Sequence, residues 1–549
     1  MLARTAAPPL LLASLAALAA AGCGGSSGSS GGSGGGGTAG LGAYCKASSD
    51  CRVPYWCEYP TGATSGSCTA ATCEVLHQAS VYAGNTLDLG IHTVGDTVHF
   101  DVPPGTAGFS ILAQVEPISA GSNVLTAPIS IVPSGSNAIE NGVVPNLVTT
   151  PSGSTYYDDF ASPPNDAYGY PDWSKPQAAY LIPRGFAAAF TVPNTSAALS
   201  GVAAGNVAAG SWSFLVNDYA YECATGSGCS VPAGSGTAGS YDLQVLLRPA
   251  AATGGIPSTG TLDVTIYFVS SSYTAAAAGT DPRFQRFVQD LQALYAPAGI
   301  TVRVTWADAP LAAIDRFSTI VFDPSNPSPC GDERQLYTYG DTTDDGARLF
   351  LVDAITEASP TQNLQVLGFD GAVPGPSALP ATVSSGSVAS LGASLPSLSP
   401  TDPYNYANTC GQSPSFSLTT CGVDVLAYVA AHEIGHWLGL YHTTEETGDQ
   451  FDTLDDTPIC GCTQCTAAGS ADQKSCNSNG PKGAPTLMKA SWCTGSASSP
   501  CPGGGDLCSA ASPCGGGADL MFYMLDQTVS TGELSPQQAA VMRANPAVR

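Results

Sequence analysis

His432-Glu433-Ile434-Gly435-His436-Trp437-Leu438-Gly439-Leu440-Tyr441-His442 places three of the chain's 6 histidines in one short stretch. On a helix, His432 and His436 lie one turn apart and point the same way, so both imidazoles can reach one metal ion. Glu433, next to the first of them, is placed to serve as a general base. Gly439 supplies the positive φ that ends a helix and turns the chain back, which brings His442 to a third ligand position. Three neutral imidazoles leave a tetrahedral Zn2+ one open position, the arrangement of a catalytic site rather than a structural one. Four cysteines at 460–476 would also suit a zinc knuckle; in an exported chain they read as disulfide partners.

The surroundings of this stretch read as an α/β half. Val423 to Leu438 is helical in pattern, with Val425, Leu426, Val429 and Ile434 on or near one face. Upstream, Thr261–Val269 alternates as a strand. Asp281 and Pro282 start a helix whose apolar positions are Phe284, Phe287, Val288, Leu291, Leu294 and Tyr295, and Gly299 stands where it ends. Ile300–Trp306 returns as a strand, and further strands are predicted at Phe317–Phe322 and Arg348–Ala354. Between about 74 and 255 short alternating segments broken by Gly, Pro, Ser and Asn predict an antiparallel β-sandwich. His77, His92 and His99 are scattered through it and form no constellation.

With those residues in place, the chain resembles the metzincin metallopeptidases and, within them, the pappalysin group. The likeness spans roughly 261–549. Asp455-Asp456-Thr457-Pro458 resembles the Asp-Thr-Pro that follows the zinc motif in that group. Asp519-Leu520-Met521-Phe522-Tyr523 resembles the Met-turn, in which Met521 would lie beneath the metal; Phe522 stands where the group usually has Asp. The resemblance implies a zinc endopeptidase acting on a protein or peptide substrate. In it Glu433 handles the proton, Tyr523 stabilises the oxyanion, and an extended substrate adds along an edge strand of the sheet. Tyr523 reads equally as a core tyrosine bonded to backbone. Asp449, Asp452, Asp455 and Asp456 crowd the loop after the third histidine and read either as oxygen ligands for Ca2+ or as a solvated acidic loop. The predicted fold is multidomain: an N-terminal β-sandwich-like domain, then an α/β (α+β) metzincin-like catalytic domain with a mixed twisted sheet and an active-site helix. A surface binding or adhesion lipoprotein with an inactive protease-like domain is the competing expectation.

Composition agrees with an exported protein. The 549 residues carry 17 Lys+Arg against 43 Asp+Glu, a net charge of −26, which repels phosphate backbones and excludes a nucleic-acid partner. The 19 cysteines exceed what a reduced cytosol favours. Residues 1–22 read as a lipoprotein-type signal whose apolar run, Pro8 to Ala21, is too short to span a bilayer. Cys23 is the expected lipid-anchor residue, and a Gly/Ser tether follows to 43. The remaining boundaries fall at 44–73, a small Cys-rich module, at 74–255, the sandwich, and at 256–549, the peptidase domain. The expected location is a membrane-anchored lipoprotein facing the periplasm or cell exterior. The anchor is checked by fractionation: the wild type is expected to partition with membranes and Cys23→Ser to be soluble. A soluble, lipid-free wild type would refute it.

Overall fold

The computed structural model describes 85–115, 138–157, 187–201, 207–224, 240–322, 332–357, 366–394, 415–443, 452–457, 518–525 and 530–549, apart from 94, 344, 383 and 455. It also describes the short stretches 44–46, 55–58, 65–70, 72–76, 124–128, 228–230, 410 and 486–489. Residues 1–43 with Cys23, and Asp449 and Asp455, lie outside the described residues. Cys73–Ala127, Gly142–Asp218 and Ala238–Arg549 form one compact unit; Met1–Thr72, Pro128–Asn141 and Tyr219–Thr237 form another. The sandwich core and the α/β half both belong to the larger unit.

The sandwich strands are β1 (Asn85–Thr93), β2 (Thr97–Val102), β3 (Thr106–Val115), β4 (Thr155–Tyr157), β5 (Ala187–Val192), β6 (Gly210–Ala224) and β7 (Ser240–Pro249). One sheet runs β5-β3-β7-β1, and β2 pairs antiparallel with β6 in the other. The alternation of β2, exposed at Thr97, His99 and Asp101 and buried at Val98, Phe100 and Val102, points one face at a shared core. There Phe100, Phe109 and Trp212 meet edge to face, with ring centroids 5.3 and 5.0 Å apart.

The α/β half follows the predicted β-α-β start. β8 (Gly260–Val269) and β9 (Ile300–Asp308) pair in parallel across helix α1 (Pro282–Tyr295). Asp281 caps that helix, accepting from the Arg283 N–H at 2.9 Å, and Gly299 turns the chain with φ +73°. The sheet continues through β10 (Ala347–Val352), β11 (Val366–Asp370), β12 (Ser387–Ser390), β13 (Thr486–Lys489) and β14 (Met524–Leu525) in the order β9-β8-β10-β12-β11-β13-β14. It is mixed: β11 is antiparallel to both neighbours, β12 and β13. The strand predicted at Phe317–Phe322 begins only at Thr319, because Leu311–Phe317 is helical and Phe317 ends it buried in the core.

Helix α2 (Gly422–Trp437) carries the histidine motif and is buried at all sixteen positions, not along one face. It packs against α1 on one side and against β11 and β12 on another, so no side of it is left for solvent. Its first turn is held by Arg286 of α1, whose Nε and Nη2 reach Asp424 at 2.6 and 2.8 Å. The same guanidinium donates to the carbonyls of Cys410 and Ser415 at 3.0 and 2.9 Å. The Cys410–Cys421 disulfide closes the chain at the same end. The final helix, α3 (Pro536–Ala544), starts with the expected capping box between Ser535 and Gln538.

Burial, and then the neighbouring Asp424, raises the Asp290 carboxyl to about 8. An unfolded carboxyl releases its proton near pH 4, so between pH 4 and 8 only the folded chain holds this one. The stability it contributes at low pH is therefore lost as pH rises toward 8. Asp290→Asn is expected to raise stability at pH 8 by about 1 kcal/mol or more, with a smaller gain at pH 5, in denaturant titrations. An equal gain at both values would refute it.

Candidate metal centre

Helix α2 ends as the glycine signal requires. Leu438 N–H donates to Ile434 O at 2.9 Å, Gly439 N–H to His436 O at 2.8 Å, and Leu440 N–H to Gly435 O at 3.0 Å. Gly439 has φ +104°. The reversal carries His442 back over the helix. The Nε2 atoms of His432 and His436 lie 3.0 Å apart, and each is 3.1 Å from Nε2 of His442. His432 and His436 are 0% exposed and His442 3%.

The other ring nitrogen decides what these contacts are. His432 Nδ1 donates to the Leu520 carbonyl at 2.6 Å and His436 Nδ1 to the Leu440 carbonyl at 2.7 Å. Each of those imidazoles thus keeps its proton on Nδ1 and turns a lone pair inward. Two inward lone pairs 3.0 Å apart cannot bond to each other; they fit a cation between them. Two nitrogens bound at about 2.0–2.1 Å to one tetrahedral ion would lie roughly 3.3 Å apart, close to the observed spacing. Burial, and then the other histidines, pushes His432 and His436 well below the usual imidazole range, which keeps them neutral. The three histidines are the one such metal-ligating group among the described residues.

Met521 lies beneath the helix. A Cβ on Gly435 would come 2.6 Å from Met521 Sδ, so the glycine allows the contact. The turn is held by Asp519 Oδ1, which accepts from Met521 N–H at 2.7 Å and Gln538 Nε2 at 3.1 Å. Burial raises this carboxyl to about 7. Thr443, just past the third histidine, donates its N–H to Met521 O at 3.0 Å. Tyr523 is buried, its ring centroid 4.9 Å from that of Phe522.

Glu433 is fully buried, and among the described residues neither carboxylate oxygen has a hydrogen-bond partner. Burial raises it well above the usual carboxylate range, and the Asp370 charge adds to the shift. Gly368 of β11 makes room for it: a Cβ there would lie 2.7 Å from Glu433 Oε1 and 2.8 Å from Val388 O. Gly368 and Asp370 were not singled out from the sequence; Val366–Asp370 reads as a short buried strand with no spacing that points to a site.

Of the four aspartates proposed for calcium, the two among the described residues, Asp452 and Asp456, serve other bonds. Asp452 Oδ1 accepts from the Thr457 hydroxyl at 2.6 Å. Asp456 accepts from the Ser535 hydroxyl at 2.7 Å and Gln537 N–H at 2.9 Å, fastening this loop to the start of α3. Among the described residues the two do not join a metal-ligating group, so the Ca2+ reading gains no support.

No family model and no curated protein matches the chain. Among solved structures it is similar to archaemetzincin from Methanopyrus kandleri, with 15% identity over 41% of this chain and 91% of that one, at a TM-score of 0.21. It is also similar to metalloproteinase-II from Bacteroides fragilis, with 13% identity over 39% of this chain, at a TM-score of 0.17. This chain spans 55% of that second protein. At these scores function is read from the site's own residues.

Gly368→Ala, whose Cβ would meet Glu433 Oε1, Val388 O and Val429 Cγ1 at 2.7–2.8 Å, is expected to displace Glu433 and lower the melting temperature. An unchanged melting temperature would show that Glu433 has slack.

Proposed function

We propose that the chain is a zinc-dependent endopeptidase holding its ion through His432, His436 and His442. The observation that carries this is the pair of inward lone pairs on His432 and His436, with the unpartnered carboxylate of Glu433 on the adjacent residue. Bound there, the ion would supply Lewis acidity to polarise a scissile carbonyl and lower the pKa of water to about 7. Glu433 takes a proton from the attacking water as its oxygen bonds to the carbonyl carbon. When the C–N bond breaks, Glu433 returns that proton to the leaving amine. Tyr523 is proposed to donate its phenolic proton toward the oxyanion.

The sheet changes how a substrate would approach. β11, the strand beside Glu433, is not an edge: β13 runs along its outer side and pairs Leu487 with Gly368. An extended substrate adding to that strand would have to take the place of Thr486–Lys489. The proposed setting is the cell exterior or periplasm, with the chain anchored through an acylated Cys23.

Elemental analysis of purified protein is expected to give one zinc per chain, and His436→Ala to lose it. Glu433→Gln should retain zinc and lose cleavage of casein. Cleavage that survives both substitutions would refute the assignment. Tyr523→Phe is expected to lower kcat about tenfold with zinc content and KM nearly unchanged; an unaltered kcat would remove Tyr523 from the reaction.

A further inference from the structure

The sandwich contributes a short buried turn to the surroundings of the histidines. Asn194, Thr195 and Ser196, which follow β5, are each at most 6% exposed. Tyr156 of β4 fixes the turn from behind: its hydroxyl donates to Asn194 Oδ1 at 2.7 Å and accepts from Asn194 N–H at 3.1 Å. In front, the Thr453 hydroxyl donates to Asn194 O, and Ser196 N–H donates to Thr453 O at 3.1 Å. The Ser196 hydroxyl reaches Oε1 of Gln537 in the first turn of α3.

From there the contacts lead to two of the ligands. Gln538, one residue on from Gln537, donates to Asp519, and Asp519 accepts from Met521 N–H. The neighbouring Leu520 carbonyl holds His432 Nδ1, and Met521 O holds the N–H that follows His442. A sandwich present only to bind something else would not need buried polar bonds to this loop and helix. Such bonds hold a unique geometry only when every partner is in place.

We propose that the Asn194–Ser196 turn positions the zinc ligands: through Thr453 and Gln537 it fixes the loop and helix that set the Leu520–Met521 backbone. This deepens the peptidase reading and rests on it. Asn194, Ser196 and Thr453 are positioning residues, acting through the loop and helix they hold. The sandwich is thereby part of the metal centre.

The test uses the full chain and reads zinc affinity by competition with a chromophoric chelator, with visible absorption of the Co2+-substituted protein. Thr453→Val combined with Ser196→Ala is expected to weaken zinc binding about tenfold and to alter the Co2+ bands. Thr453→Ser, which keeps the hydroxyl, should stay within about twofold of wild type. Tyr156→Phe removes both bonds to Asn194 while its ring can keep its packing on Phe190 and Trp212, and should give a shift in the same direction. Thr191→Val serves as the stability control, since it deletes the buried Ser110–Thr191 hydroxyl pair at 2.6 Å between β3 and β5. It should lower the melting temperature and leave zinc affinity unchanged. Wild-type affinity in the folded double variant, or an equal loss in Thr191→Val, would overturn the proposal. A wild type without zinc affinity would instead remove the peptidase reading, and this inference with it.

Discussion

Three buried imidazole nitrogens held within 3.1 Å of one another are the constraint around which the larger unit is arranged. Neutral lone pairs at that distance repel, so without an ion the folded state carries an unfavourable contact at its centre. Three parts of the chain hold it in place. The helix supplies His432 and His436, the Gly439 reversal supplies His442, and the carbonyls of Leu520 and Leu440 fix two of the tautomers. Removing any one of them would free a ring to turn away.

The support around the site is mostly backbone and buried polar side chains. Arg286 ties the start of α2 to α1 and to two carbonyls. Glycines at 368 and 435 admit Glu433 on one side and Met521 on the other. Burial alone would make both the carboxylate and the imidazoles prefer their neutral forms. A divalent cation among them reverses that preference for the carboxylate and leaves the imidazoles as neutral ligands.

Much of this could be read from the sequence where one local rule decides the outcome. The four-residue spacing of His432 and His436, the cap at Asp281, the capping box at Ser535 and the turns at Gly299 and Gly439 all came through, because each depends on a few adjacent residues. Longer-range features did not. The helix read as one-sided is buried all round, since the sheet, α1 and the C-terminal residues each take a different face. Phe317 looked like a strand residue because an apolar residue at a helix end and one at a strand start have the same composition. Gly368 and Asp370 gave no signal at all: their place beside Glu433 follows from sheet order, which depends on segments far apart in the chain. For the acidic loop, local density of aspartates does not tell which hydroxyls and amides Asp452 and Asp456 bond, and Asp449 and Asp455 lie outside the described residues.

The bond from His432 Nδ1 to Leu520 O joins residues 88 positions apart. Beyond Leu520, α3 must still dock, and Arg549 pairs with Thr261 through backbone bonds of 2.5 and 2.8 Å. A chain emerging from a ribosome therefore exposes its histidine motif long before the carbonyl that orients it arrives. Assembly of the oriented histidine cluster is deferred until synthesis has passed residue 520.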